Sequence, residues 1–582
     1  MDPVSSLRPL LAVSIPAIAV AFILASGRRP NVREGWTFLA ALATFATVAS
    51  MVPDVLSGTV YTTDLLTYVA GPETDIQFGL RADRLGVLFA LLASFLWIIT
   101  SAYSVGYMRG LDEHDQTRYF AAFAASIATA MGVAFASNLL TLFVFYELLS
   151  VATYPLVAHD ESDEAIWAGR KYLVYTFGGG VAILAGTIIV FTLTGTTAFT
   201  PGGIADLATS TSSDTALAQA AFALLVAGFG VKAALMPFHS WLPDAMVAPT
   251  PVSALLHAVA VVKSGVFAIA RVVLDVFGPE TVDQLGVGIP LAAVAAITLI
   301  TASIIALKQD HLKRRLAYST ISQLSYIVLG LALFHEYALV GALLHIPAHA
   351  FMKITLFFCA GAIHVETHTD YISEMAGIGK RMPLTMTAFT VGAAGMAGMP
   401  LLAGFVSKWF LVVGAVSIDA WIFAVVLLLS GILNVGYYWP VVYQAFFEDE
   451  TDPDPKPLLE YPAGGAAPTA DGTGGTPIPN GGSITDLAHD ESAESGSGEH
   501  GHDHGDRTHA TTDASGHDHT HTHAHGDSRW ERRTWRTEST WFMLGPIVVA
   551  AVGALVLGLV PDRVVFLELI VAIVENAMEV SL

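Results

Sequence analysis

Long apolar runs separated by short polar stretches organise most of this chain. A helix needs about 20 mostly apolar residues to cross the hydrocarbon core of a bilayer. About fourteen such runs follow one another, centred near Ala17, Phe45, Ala93, Ala128, Leu148, Leu184, Leu225, Val262, Thr298, Val328, Leu356, Val391, Val426 and Val549. Strands of a membrane barrel would alternate polar and apolar residues over about ten positions. These runs do not alternate, so the pattern predicts an all-α integral membrane protein. The first run has only Arg8 before it, and Arg28-Arg29 stand where a signal peptide would be cleaved, so it reads as a helix.

One region breaks the pattern. From Glu448 to Ser528 the chain holds 17 acids, two bases (Lys456 and Arg507) and 10 of the 20 histidines. Such a stretch cannot bury enough apolar area to offset its chain entropy, and it is expected to be disordered. Beyond the last run, Val564 to Leu582 reads as a helix carrying Glu568, Glu575 and Glu579, lying along the membrane surface or against a partner.

Composition agrees with a membrane assignment. Of 582 residues, 54% are hydrophobic and 13% charged, where soluble domains carry about 25% charged residues. The net charge of −22 belongs largely to the insert, at 2 − 17 = −15. No basic surface points to nucleic acid, and no Gly-rich phosphate loop lies between a strand and a helix. A single cysteine, Cys359, excludes an internal disulfide and Cys-ligated clusters. No cofactor is expected.

Loop charges set orientation. Arg28, Arg29 and Arg33, the run Asp310-His-Leu-Lys-Arg-Arg315, and Lys380-Arg381 mark odd-numbered loops as cytoplasmic, whereas the acidic loop Pro53 to Gly79 falls outside. Both termini are then outside and the His-rich insert is cytoplasmic. The setting expected is a prokaryotic plasma membrane crossed many times.

The candidate chemistry lies where lipid should be. An ionisable group inside a span costs on the order of 3 kcal/mol by insertion scales. Glu147, Lys232, Lys263, Lys353 and Lys408 all sit in apolar runs, and four of them are among only nine lysines. Snorkelling from a span end would explain one lysine but not the set. Lys232 is followed by Pro237 and Pro243, and Lys408 is preceded by Gly395, Gly398, Pro400 and Gly404. Two interrupted helices in corresponding places point to a transport site. His345, His349 and Lys353 are spaced four apart, on one helix face, with His364 and His368 continuing the spacing. Such a stripe suits a proton relay, because histidine exchanges a proton near neutral pH and a lysine out of water does so more readily than one in it. His257 and Lys263 share a span about 120° apart, as neighbours along a path. Glu147 is expected near Lys232, holding its proton. In the insert, His502, His504, His517, His519, His521 and His523 are candidate ligands for a weakly bound divalent metal such as Zn²⁺; the other reading is a solvated acidic spacer.

Three runs carry a resemblance. Lys232-Ala-Ala-Leu-Met-Pro-Phe-His-Ser-Trp-Leu-Pro-Asp-Ala-Met-Val-Ala-Pro-Thr-Pro-Val-Ser-Ala-Leu-Leu-His257, His311-Leu-Lys-Arg-Arg-Leu-Ala-Tyr-Ser-Thr-Ile-Ser-Gln-Leu-Ser-Tyr326 and His345-Ile-Pro-Ala-His-Ala-Phe-Met-Lys353 closely resemble the antiporter-like subunits of respiratory complex I. With Lys380-Arg-Met-Pro and Gly404-Phe-Val-Ser-Lys-Trp409, they look more like the D-type subunits of the Mrp-type multisubunit Na⁺/H⁺ antiporters. The resemblance covers roughly residues 80 to 445. It implies fourteen transmembrane helices with two inverted five-helix repeats. The organisation expected is N-terminal helices over 1–110, the repeats over 111–275 and 276–447, the insert over 448–537, and the last transmembrane helix with an amphipathic helix over 538–582. It further implies that Glu147, Lys232, His257, Lys263, His345, His349 and Lys408 match the family's intramembrane relay, to which Lys353 adds. The function implied is an ion-transporter subunit, not an enzyme. It would move protons in a monovalent cation/proton antiporter, with Na⁺ the expected cation and other membrane subunits as partners. The alternative is the antiporter-like subunit of a complex I-like NADH/quinone oxidoreductase or a membrane-bound hydrogenase.

Overall fold

Each of the fourteen centres lies in a helix. The computed structural model describes residues 3–71, 74–449, 533–580 and 582. Two helices, α1 (Arg8–Ala25) and α2 (Pro30–Ala49), open the chain as a hairpin. A three-stranded sheet follows, where only an acidic loop was expected. Strands β1 (Pro3–Ser5), β2 (Val60–Gly71) and β3 (Thr74–Ala82) lie in that order, β1 parallel to β2 with Pro3 opposite Val60, and β2 antiparallel to β3 with Tyr61 opposite Ala82. The β-branched and aromatic run Val60-Tyr-Thr-Thr63 suits a pleated surface.

The body comprises α3 (Arg84–Gly110), α4 (Gln116–Phe135), α5 (Leu139–Val157), α6 (Asp163–Thr194), α7 (Ala205–Lys232), α8 (Thr250–Phe277), α9 (Gly288–Leu307), α10 (Leu312–Ala332) and α11 (Glu336–Thr367). It continues with α12 (Pro383–Ala397), α13 (Ala403–Ser417), α14 (Trp421–Phe447), α15 (Trp541–Leu559) and α16 (Val565–Met578). Polar caps start several of them: Asp83 Oδ1 accepts from Gly86 N at 2.8 Å, and Asn138 Oδ1 from Thr141 N at 2.8 Å.

Among the described residues twelve helices are long and apolar enough to cross a membrane, so this is a multi-pass membrane protein. Helix α10 falls short because Lys313, Arg314, Arg315 and a Ser- and Gln-rich face lower its hydropathy, and α12 and α13 have 15 residues each. The run centred on Val391 is thus α12 alone. The helix bearing Lys408 is a separate piece beyond a break at Gly398, which no apolar centre had marked.

Burial divides the helices sharply. The apolar windows of α8 and α11 are 100% enclosed, against 28% for α1 and 33% for α14. These two central helices carry most of the candidate charges. At one end Arg271 of α8 donates to both oxygens of Asp83 at 2.7 Å and to Asp275 at 2.7 Å, bracing α8 against the start of α3. Helix α16 does not lie free on a surface. Phe566, Leu569, Ile570 and Val574 are buried in contact with α3 and α11, and Arg84 donates to the Ala572 carbonyl at 3.0 Å. The His-rich insert, with His502, His504, His517, His519, His521 and His523, lies outside the described residues. Just after it, Glu538 caps α12, accepting from Leu384 N and Thr385 N at 2.8 Å each.

Candidate functional site

The centre of the site is a contact between the two enclosed helices. Lys263 Nζ of α8 lies 2.6 Å from His349 Nδ1 of α11, and both side chains are fully buried. An ammonium can only donate, so His349 Nδ1 accepts and the ring hydrogen sits on Nε2. Among the described residues, no protein atom partners Nε2. One turn earlier, His345 Nε2 meets Gln323 Oε1 of α10 at 2.9 Å, and Nδ1 meets Ser407 Oγ of α13 at 2.8 Å. The amide oxygen only accepts, which places the hydrogen on Nε2 and leaves Nδ1 to accept from the serine. The two imidazole rings are 6.1 Å apart between centroids.

Lys353 shares the helix but reaches another way. Its Nζ donates to the Leu316 carbonyl at 3.0 Å, Ser319 Oγ at 2.5 Å and Tyr438 OH at 3.2 Å. Lys353 thus reaches α10 and α14, whereas His349, four residues and about 40° away at 3.6 residues per turn, reaches α8. His257 is fully buried beside Phe357 at 4.8 Å, with neither ring nitrogen partnered. It lies in a π-helical stretch, Leu255–Val259, closed at Ala260 (φ −120°, ψ −66°). The wider turn invalidates the 120° offset from Lys263 expected for a regular helix, and π-turns recur at functional sites.

The two outer lysines stand at the two breaks. At the first, α7 ends at Lys232, whose Nζ donates to the Tyr146 carbonyl of α5 and lies 3.6 Å from the Tyr146 ring centroid. The exposed backbone is satisfied locally: Trp241 Nε1 donates to the Val231 carbonyl at 2.9 Å, and Met236 N donates to Thr298 Oγ1 at 3.1 Å. A Cβ at Gly265 of α8 would fall 2.3 Å from Ala233 N, so glycine alone lets α8 rest against this break. The Lys232 ammonium makes no direct hydrogen bond to Glu147, whose Oε1 has no partner among the described residues. The intervening residue is Tyr146, which takes the ammonium. Glu147 is half-buried against α6, where a Cβ at Gly180 would lie 2.6 Å from its Oε1.

At the second break Lys408 Nζ donates to the Met396 carbonyl at 2.6 Å, and Asn434 Nδ2 donates to the same oxygen at 3.0 Å. A carbonyl left open at the end of α12 is thereby satisfied from α13 and α14. The Lys408 ammonium lies 4.7 Å from the Tyr326 ring centroid, and Tyr326 in turn is 5.5 Å from the His345 ring. Thus Lys408, Tyr326, His345, His349 and Lys263 form a continuous set of neighbours.

Gln323, Ser407, Ser319, Tyr438, Tyr146 and Gly180 escaped the sequence reading. Nothing in their local pattern singles them out. The Ser- and Gln-rich face of α10 was the available signal. His364 and His368 do not extend the stripe: His364 Nδ1 pairs with Asp370 at 3.0 Å, and His368 caps the helix with φ 53°. Among the described residues, side chains spaced to hold a metal ion lie elsewhere, at the tips following α3 and α5.

Residues 136–433 match the family described as NADH:quinone oxidoreductase/Mrp antiporter, transmembrane, and residues 69–120 match the N-terminus of NADH-ubiquinone oxidoreductase (complex I) chain 5. The chain belongs to the NADH:quinone oxidoreductase/Mrp antiporter family. It is an antiporter-like membrane subunit. The N-type subunit of NADH-quinone oxidoreductase from Desulforudis audaxviator is 34% identical over 465 residues, covering 78% of this chain and 90% of that protein. The A-type subunit of the Na⁺/H⁺ antiporter from Alkalihalophilus pseudofirmus is 35% identical over 355 residues, 58% of this chain and 43% of that protein. A probable K⁺/H⁺ antiporter subunit of combined A/B type from Rhizobium meliloti is 37% identical, over 63% of this chain and 36% of that protein. The chain thus spans less than half the length of these two antiporter relatives. Among solved structures, the Mrp complex from Dietzia sp. DQ12-45-1b superposes with a TM-score of 0.75 at 22% identity, covering 98% of this chain and 97% of the other. An archaeal membrane-bound sulfane sulfur reductase complex gives 0.67 at 24%, covering 80% and 91%. At these identities the likeness carries the fold.

Proposed function

We propose that this antiporter-like subunit translocates protons within a multisubunit monovalent cation/proton antiporter, through the intramembrane set Glu147, Lys232, Lys263, His257, His349, His345, Lys353 and Lys408. The observation that carries the reading is the 2.6 Å contact of Lys263 Nζ with His349 Nδ1 inside two fully enclosed helices. Moving one proton across it leaves a neutral amine and an imidazolium whose Nε2–H points onward. From the imidazolium the proton passes towards His345. The 6.1 Å between rings is a span that one ordered water bridges. Buried nitrogens without protein partners, at His257, His349 Nε2 and Gln323 Nε2, are where internal water would sit.

Na⁺ is the cation we assign, supported by the name of the Alkalihalophilus relative; the Rhizobium relative is named for K⁺. The partners are other membrane subunits, in keeping with the multisubunit Mrp complex whose fold this chain shares. Within that group, Lys380-Arg-Met-Pro and Gly404-Phe-Val-Ser-Lys-Trp409 support the D-type subunit. A second reading, the proton-pumping subunit of a quinone-reducing complex, draws on the near full-length match to the N-type oxidoreductase subunit.

Lys263→Met, purified with its partners and placed in proteoliposomes, tests the reading. Cation-driven proton movement, measured with Na⁺ and with K⁺, is expected to fall by about 100-fold, in the range for removal of a positioned proton donor. A wild-type rate in the assembled variant would refute it.

A further inference from the structure

Two loop tips remote from the relay meet in a way the transport reading leaves unused. The tip after α3 reads Asp112-Glu-His-Asp115, and the tip after α5 reads His159-Asp-Glu161. Among the described residues, Glu113, His114 and His159 each offer one ligand atom, all within 4.8 Å of one another. Imidazoles stack face to face, with His114 and His159 ring centroids 4.8 Å apart.

Hydrogen bonding fixes what each group presents. His114 Nε2 lies 2.9 Å from the His159 carbonyl oxygen. A carbonyl only accepts, so Nε2 carries the hydrogen, and in the neutral ring Nδ1 carries a lone pair. That lone pair faces Glu113 Oε2 at 3.7 Å. With the ring neutral, two acceptors face each other, an arrangement that either a proton on Nδ1 or a cation between them reconciles. The carbonyl contact is also how protein metal sites commonly orient a ligating histidine. His159 supplies the independent sign. Its side chain is 0% exposed, yet among the described residues neither ring nitrogen has a hydrogen-bond partner. A buried polar group left so is costly unless something unseen satisfies it.

The chemistry narrows the occupant. Two neutral imidazoles and one carboxylate are a nitrogen-rich set that suits Zn²⁺ and its neighbours rather than Mg²⁺ or Ca²⁺. Bonds of about 2.0–2.2 Å to tetrahedral zinc put ligand atoms about 3.4 Å apart. The His114–Glu113 pair is near that spacing, and His159, whose ligand atom lies within 4.8 Å of both, completes the set by turning its ring out of the stack with His114. Three protein ligands leave one position for water. A second grouping, His114 with Asp115 and Glu161, fits less well, because Arg118 already pairs with both carboxylates. We propose that Glu113, His114 and His159 form a zinc-type divalent cation site that fastens the tip after α3 to the tip after α5. Helix α5 carries Tyr146 and Glu147, so occupancy would hold the end of a relay helix.

The test is a Co²⁺ titration of the full-length chain in its purified complex, read by visible absorption and by bound metal per chain. The His-rich insert is identical in wild type, Glu113→Gln and His159→Gln, so its uptake cancels. Wild type is expected to take up one equivalent more than either variant and to show the intense absorption of tetrahedral Co²⁺, which Zn²⁺ displaces. His159 is buried, so Glu113→Gln, at a partly exposed tip, decides alone if His159→Gln does not fold. Equal uptake and equal spectra in wild type and Glu113→Gln would overturn the site.

Discussion

The two helix breaks have the same construction and different surroundings. In each, a lysine points an ammonium at a backbone carbonyl and over a tyrosine ring: Lys232 at Tyr146, and Lys408 at Met396 beside Tyr326. At the first break Glu147 is the residue next to that tyrosine, although the ammonium makes no direct hydrogen bond to it. At the second, Lys408 has Asn434 as its polar neighbour on the shared carbonyl, and among the described residues no carboxylate pairs with it. A charge with a carboxylate nearby and a charge surrounded only by dipoles respond differently to a proton arriving nearby. We read the first break as the one whose charge a neighbouring acid sets, and the second as the one set through the His345 chain.

Removing the acid should give the largest effect. Glu147→Gln is expected to reduce cation/proton exchange in proteoliposomes by about 100-fold, with assembly intact on size-exclusion chromatography. Exchange at the wild-type rate would make the two breaks equivalent. A subtler change leaves the acid and moves it. A Cβ at Gly180 would lie 2.6 Å from Glu147 Oε1, whereas one at Gly178 meets nothing within 4 Å. Gly180→Ala should therefore slow exchange by about tenfold, the cost of about 1.4 kcal/mol, and Gly178→Ala should not. Equal rates in the two would detach Glu147 from the path. The smallest effect is expected from deleting Gly464 to Gly526. That segment includes no relay residue, so exchange should persist within about twofold of wild type, in line with surface changes that touch no buried feature. Loss of exchange in a correctly inserted deletion would show the insert to be mechanistic.

Helix positions were legible because lipid imposes one pattern on every span. Lys232, Lys263, Lys353 and Lys408 were legible because ionisable groups in apolar runs are rare. Their partners were not. Gln323, Ser407 and Ser319 are ordinary helix residues until tertiary packing brings α10 and α13 against α11. The π-helical stretch at Leu255–Val259 shifts the facing of His257 in a way no 3.6-residue count foresees. The break that isolates α13 was visible as Gly398 and Pro400, yet apolar averaging merged the pieces. The missed sheet at 60–82 rests on a short β-branched run between charged residues, too brief to stand out beside fourteen long ones.

The central claim is that His349 passes protons and does not merely pack. It is tested most directly by the pH–rate profile of exchange in His349→Ala, measured in the assembled complex. The account predicts a loss of about tenfold or more, by analogy with other positioned proton-transfer groups, and a changed pH dependence, since Lys263 then has no imidazole to receive its proton. An unchanged profile at an unchanged rate would contradict it.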